Sequence, residues 1–266
     1  MKKLIAILFA LLIPFAAIAE NVTVKVGVVG ENNEQWEQLI IPTLKEEGIH
    51  IELVKFSDYI VPNQALFDGE VDLNAFQHKN FLANWNETYG GDLIPIGDTL
   101  VAPLCMYSEK IKSLDELKEG DSIAIMSDPV NEARALRMLE SEGLIKLRED
   151  TTELATVADI IENKLNLTFL EMEAALTASA LHDPLIAAGF LNGTHAKDAG
   201  YINDNALLIE KYDPENKDMA GIVNMIAAKE SRKDEPAFKR IVEIYHSEEM
   251  RALFEEVYKD VYIPAF

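Results

Sequence analysis

The chain has 266 residues, 48% hydrophobic and 26% charged, which suits one long or two medium packed cores and excludes a disordered or fibrous protein. Its 46 acidic residues against 24 basic ones give a formal charge of −22, which opposes binding to nucleic acid or to an anionic lipid surface. A single cysteine, Cys105, rules out an intrachain disulfide.

The first twenty residues, MKKLIAILFALLIPFAAIAE, set Lys2 and Lys3 before an apolar run from Leu4 to Ile13 and end in the small-x-small pattern of Ala17, Ile18 and Ala19. This predicts a signal peptide over residues 1–19, removed before Glu20, because the run is shorter than the ~20 apolar residues that span a bilayer. Loss of two lysines leaves 22 basic against 46 acidic residues, a formal charge of −24. With no cysteine at the cleavage point, the expected product is periplasmic and soluble, without a lipid anchor.

VTVKVGVVG (Val22 to Gly30) alternates valine with small or polar residues, as a strand running into a loop does. A helix is predicted from about Asn33, with Trp36, Leu39, Ile40 and Leu44 on one face, a bend at Pro42 and a stop at Gly48. IHIELVKF (Ile49 to Phe56) completes a βαβ unit, which implies a parallel sheet. A short helix ending near Gly69 and a strand reaching Phe76 repeat the pattern.

Extended apolar pieces follow in DLIPIGDTLVAPLCMYS (Asp92 to Ser108), where Cys105 reads as a buried structural thiol. Ser113 and Glu116 have capping-box spacing for a helix ending at Gly120, before the strand SIAIM. After a polar loop from Asp213 to Asp218, AGIVNMIAA reads as a strand, and EPAFKRIVEIYHSEEMRALFEEVY as helices. The simplest arrangement is an α/β fold of two lobes with a ligand cleft between them: residues 20–106 with 223–266 as the first, and 107–222 inserted as the second.

Three stretches stand where strands hand over to loops or helices, the places at which open α/β sheets bind ligands. FSDY offers Tyr59, and AFQHKNF offers Phe76, His78 and Phe81. In SDPVNEARAL, Ser127 or Asp128 can cap a helix, Pro129 suits its first turn, and Arg134 adds a planar fork for a carboxylate. A surface ion pair of Arg134 is the competing reading. There is no G-x-S-x-G, H-E-x-x-H, P-loop or paired-cysteine motif, and His50, His78, His182, His195 and His246 are scattered. Neither catalysis nor a bound cofactor or metal has a motif in its favour.

Taken together, KVGVVG, ELVKFSDYIVPNQALFDGEVDLNAFQHKNFL, VAPLCMYS, IKSLDELKEGDSIAIMSDPVNEARAL, LATVADIIEN, FLNGTHA, NMIAAKESRKDEPAFKRIVEIYHSEE and the ending IPAF resemble the methionine-binding lipoproteins of ABC importers, the NlpA family. The resemblance spans essentially the whole chain after residue 20. It implies a two-lobed periplasmic binding protein that closes on free methionine and delivers it to a membrane permease driven by an ATPase, as a monomer and without catalysis. The family's ligand-contacting positions fall on Tyr59, Phe76, His78, Phe81, Arg134, Asn192 and Asn224. Phe81 stands where tyrosine is usual, Thr194 and His195 stand for asparagine and tyrosine, and Glu132 and Ala133 replace two glycines. Glu132 beside the pocket would then favour a more cationic ligand. A different small amino acid, a dipeptide or a methionine derivative is the alternative occupant; an enzyme or a surface adhesin on this scaffold has no motif behind it.

Overall fold

The computed structural model describes residues 22–259 and 261–266, so the expected signal peptide and its cleavage point lie outside the described residues. Strand β1 (Val22–Val29) leads into a π-helical turn, Gln35–Ile40, that continues as α1 (Ile41–Glu46). The helix expected here is thus a composite. The Ile41 N–H reaches the Trp36 carbonyl, five residues back, and Pro42, which has no N–H to donate, follows. Gly48, at φ +81°, turns the chain into β2 (Ile49–Phe56), which pairs in parallel with β1 along its whole length.

Next come α2 (Val61–Asp68), β3 (Leu73–Asn74), α3 (Lys79–Tyr89) and β4 (Leu93–Asp98). The strand expected to reach Phe76 ends at Asn74; beyond it the Gln77 carbonyl accepts from the Met225 N–H, and His78 bridges to Asn224. The chain leaves through β5 (Leu100–Val101) and β6 (Cys105–Tyr107). It then runs through β7 (Ser122–Met126), α4 (Pro129–Ser141), β8 (Ile145–Leu147), β9 (Ile160–Asn163), β10 (Thr168–Met172), α5 (Ala174–Ala180), β11 (Ile186–Leu191), α6 (Gly193–Asp198) and β12 (Leu208–Ile209). Return is by β13 (Met225–Lys229), α7 (Pro236–Tyr245), α8 (Glu248–Val257) and β14 (Ile263–Pro264).

Two sheets result, in the orders β2-β1-β3-β13-β4 and β10-β7-β11-β6-β12. Each joins parallel strands to antiparallel ones, and in each an antiparallel strand beside the crossings, β13 or β6, lies inside the sheet rather than at its edge. Val24, Val26, Val28, Trp36, Ile241 and Phe254 belong to the first core; Ile123, Ile125, Leu136, Leu139 and Phe190 belong to the second. The result is a two-lobed α/β architecture, with one lobe built on each sheet.

Three local expectations are corrected. Ser113 caps no α-helix: only the 3-10 turn Leu114–Glu116 forms, without a side-chain cap bond, because Leu117 already returns to extended backbone at φ −61° and ψ 138°. The strand expected from Ala220 starts at Met225, after the 3-10 turn Lys217–Ile222. The division expected at 106/107 falls inside β6, whose Cys105, Met106 and Tyr107 all pair with strands of the second sheet. We propose instead that the first lobe comprises 22–101 and 225–266, and the second 105–209.

The lobes are closed on one another. From α6 in the second lobe, the Lys197 ammonium donates to Asn32 at 2.8 Å and pairs with Glu34 at 3.1 Å, while the Asp198 carboxylate accepts from the Glu31 N–H and the Asn32 amide. Gly30 makes this approach possible: at φ +82° it occupies the left-handed region, and a Cβ there would lie 2.5 Å from the Asp198 carboxylate and 2.7 Å from the Thr194 methyl. Gly30→Ala is therefore expected to hold the lobes apart. Small-angle scattering should give it a larger radius of gyration than the parent protein, and equal radii would show that the loop yields.

Candidate functional site

One narrow cavity between the lobes is lined by Tyr59, Phe76, Gln77, His78, Phe81, Ala102, Asn131, Arg134, Asn192, Gly193, Thr194 and Asn224. All seven residues singled out from sequence are among them.

The first lobe supplies an aromatic box. Tyr59 stacks on Phe76 with ring centroids 5.8 Å apart and meets Phe81 edge-on at 6.0 Å; Phe76 and Phe81 are themselves edge to face at 6.3 Å. These are favourable quadrupole geometries, and they leave ring faces and edges toward the cavity. Tyr59 follows β2, and its neighbour Asp58 accepts from the Ile60 and Val61 N–H groups at 2.8 Å, capping the start of α2.

Phe76 and His78 sit on the short link between β3 and α3, and a set of buried amides fixes that link. Gln77 Nε2 donates to Asn63 Oδ1 at 2.5 Å and to Asn74 Oδ1 at 3.0 Å, Asn63 Nδ2 returns a bond to Gln77 Oε1 at 2.8 Å, and Asn74 Nδ2 donates to Asn63 Oδ1 at 2.9 Å. Asn224, on the return crossing, donates from Nδ2 to the Phe76 carbonyl at 3.2 Å.

His78 is the N-cap of α3. Its Nδ1 accepts from the Phe81 N–H at 3.2 Å, so that nitrogen carries no proton, and its Nε2 donates to Asn131 Oδ1 at 3.2 Å. Burial, and then the positive charge of Arg134, push its pKa down to about 3. With both nitrogens occupied, it is a cap and a bridge between lobes rather than a general base.

The second lobe supplies the polar end through α4. Asp128 is the N-cap: its carboxylate accepts from the Asn131 N–H at 2.9 Å and from Asn131 Nδ2 at 3.0 Å. Asn131 Oδ1 in turn accepts from Arg134 Nη1 at 2.8 Å and Asn192 Nδ2 at 3.1 Å. Burial lifts the Asp128 carboxyl above its ordinary range, against the opposing bonds from Asn131. Asn192 Oδ1 is buried and has no hydrogen-bond partner among the described residues, which leaves it as an acceptor for a ligand N–H.

Asn131 and Glu210 were not anticipated. Asn131 stands three residues before Arg134 on one helix face, a spacing that could have revealed it. Glu210 pairs with Arg134 from far along the chain, at 2.9 Å to Nε and 2.5 Å to Nη2, and no local pattern announces it. Glu132 does not face the cavity. Its buried carboxylate accepts from the Val157 N–H at 2.9 Å, so it does not bias the ligand's charge as expected. His195 lies against Tyr59, its ring tilted and its centroid 5.0 Å away, instead of lining the cavity, whereas Thr194 does line it. Among the described residues no group of His, Cys, Asp and Glu is placed to hold a metal ion.

The folded protein keeps His78 neutral while the unfolded chain protonates it below about pH 6.5, so the unfolded state binds the extra proton between the two pKa values. Stability is therefore expected to fall as pH drops from about 6.5 toward 3, with a limiting slope of about 1.4 kcal/mol per pH unit from this group. His78→Asn, which preserves the cap, should lack that component in chemical unfolding at a series of pH values. Subtracting the two profiles cancels Asp128, and identical profiles would refute the assignment.

The family model described as NlpA lipoprotein matches residues 24–266. The D-methionine-binding lipoprotein MetQ of Yersinia pestis is 40% identical over 230 residues, covering 85% of this chain and 82% of its own length. The substrate binding protein of a methionine transporter from Streptococcus pneumoniae superposes with a TM-score of 0.85 at 35% identity, covering 92% of this chain and 96% of its own. A nutrient binding protein from Burkholderia cenocepacia, solved bound to methionine, gives a TM-score of 0.84 at 34% identity, covering 91% of this chain and all (100%) of its own.

Proposed function

The chain belongs to the NlpA lipoprotein family, and from that premise we propose that it is the extracytoplasmic substrate-binding component of an ABC importer, closing on free methionine and handing it to a membrane permease. The observation that carries this reading is the division of one closed cavity into an aromatic box on the first lobe and a hydrogen-bonding end on the second. A methionine side chain lying against Tyr59, Phe76 and Phe81 gains sulfur–aromatic contacts of about 0.3–1.5 kcal/mol each. Arg134 then takes the carboxylate, the unpartnered oxygen of Asn192 takes the ammonium, and Asn224 with His78 closes the box at the crossing. Each lobe holds a different end of the ligand, so the bound molecule favours the closed form by contacts that the open form lacks.

Calorimetry with L-methionine, D-methionine, norleucine and glutamine tests the reading directly. Both methionine and norleucine fill the box, methionine more tightly, while glutamine is disfavoured by the desolvation of its amide. Phe76→Ala is expected to cost about 1–3 kcal/mol of methionine binding through lost apolar contact. Arg134→Ala is expected to cost about 2–4 kcal/mol, the scale for breaking a buried charged pair. Failure of all four ligands to bind the ligand-stripped protein would overturn the reading.

The protein acts by binding and not by turnover in this reading, as a monomer with permease and ATPase subunits for partners. The matching family and the relatives are named lipoproteins, which runs against the expectation of a product without a lipid anchor; export across the inner membrane is the part of that expectation kept in this reading. Intact mass of the exported product tests it: a chain shortened at its N-terminus is expected, and an uncleaved chain would refute export.

A further inference from the structure

Arg134 is already engaged along one edge. Its Nε and Nη2 donate to the two carboxylate oxygens of Glu210 at 2.9 and 2.5 Å, and Nη1 donates to Asn131 Oδ1 at 2.8 Å. A guanidinium has five N–H groups, so these three bonds leave one N–H on each terminal nitrogen for a ligand. The pair is enclosed, with side-chain exposures of 10% for Arg134 and 13% for Glu210.

Glu210 is itself held from another direction. Its Oε2 also accepts from the Leu104 N–H at 3.1 Å, and its own N–H donates to the Leu104 carbonyl at 2.9 Å. Leu104 lies on the first crossing between the lobes, between β5 and β6. Glu210 is thus fastened to the hinge, and Arg134 is fastened to Glu210.

The charges around the polar end of the cavity then sum to no excess of positive charge. Arg134 is balanced by Glu210, His78 uses its unprotonated Nδ1 as a cap, and the Asp128 carboxylate faces Arg134 through Asn131. Buried charges interact several times more strongly than hydrated ones, so the net charge of a ligand counts as much as its shape. A zwitterion matches: its carboxylate takes the two remaining Arg134 N–H groups and its ammonium takes Asn192 Oδ1.

We propose that Glu210 is a specificity-determining residue that neutralises Arg134, so that the cavity selects a ligand bearing a cationic amine and rejects the corresponding simple carboxylate. The inference rests on the methionine reading above.

The test uses the full ligand-stripped protein and three probes in calorimetry: L-methionine, its anionic desamino analogue 4-(methylsulfanyl)butanoate, and its cationic analogue L-methioninol. Removing the ammonium is expected to weaken binding at least ~100-fold, since a site built to accept N–H bonds rejects the analogue lacking them. Replacing the carboxylate by a hydroxymethyl group is expected to cost less, because the hydroxyl oxygen still accepts one of the two Arg134 bonds and the single charge-assisted bond lost is worth only ~10- to 150-fold. In Glu210→Gln the gap between methionine and the butanoate should narrow by at least ~10-fold, with methioninol now the weakest, because Arg134 loses its directly paired carboxylate and the polar end becomes one charge more positive. If the wild-type protein binds the butanoate more tightly than methioninol, or a folded Glu210→Gln leaves the gap unchanged, the proposal is overturned. Should that variant fail to fold by circular dichroism, the wild-type order decides alone. Absence of methionine binding would instead sink the functional reading itself.

Discussion

Three N–H groups from three separate elements converge on one oxygen. Asn131 Oδ1 accepts from Arg134 on its own helix at 2.8 Å, from Asn192 after β11 at 3.1 Å, and from His78 of the opposite lobe at 3.2 Å. The amide cannot turn over, because its nitrogen is held by both oxygens of Asp128 at 3.0 Å and a reversed amide would set donor against donor. The direction of Arg134, the unpartnered oxygen of Asn192 and the seating of His78 all follow from this one fixed carbonyl. Low local dielectric makes each of these bonds stronger than in water and makes a missing partner correspondingly costly.

Closure of the two sheets on one another depends on where the few cations stand. In a chain of formal charge −22, Lys197 and Arg134 are both placed at the junction of the lobes and both are paired there. Lys197 also lies over the Tyr258 ring, 4.9 Å from its centroid, so one ammonium ties α6 to the loop after β1 and to the C-terminal helices together. The crossings are secured by backbone bonds: the Asn224 N–H to the Leu100 carbonyl at 2.7 Å, the Thr99 N–H to the Asn224 carbonyl at 2.8 Å, and the Ala265 N–H to the Thr99 carbonyl at 3.1 Å. The hinge is therefore well defined while the faces it brings together are polar and separable.

How much of this was legible in the sequence varied with the range of the interaction. Alternation and helical spacing revealed β1, β2 and the parallel unit they form, because those signals arise from immediate neighbours. The seven cavity residues came from motif strings, and Ser127 or Asp128 as a cap from local chemistry, of which the structure uses Asp128. Helix phase separates Glu132 from the cavity: it follows Asn131 by one residue, about 100° around the helix, so it cannot share the face of Asn131 and Arg134. The capping-box pattern at Ser113 misled because spacing says nothing about how many turns follow. Glu210 was invisible, since a salt bridge between distant residues has no local trace, and with 46 acidic residues almost any partner for Arg134 was conceivable.

The buried amides of Asn63, Asn74 and Gln77 have a further consequence in conformational entropy. Each lies inside the first lobe and bonds to the other two, Asn74 also donating to the Pro62 carbonyl at 3.3 Å, and the bonds they make all stay within that lobe. The link that carries Phe76 and His78 is consequently ordered when the first lobe folds, before any solute arrives. Freezing a residue's backbone costs about 1–2 kcal/mol, and here that cost is met by folding and not by binding. Phe76 thus meets the ligand without an ordering cost for the link that carries it.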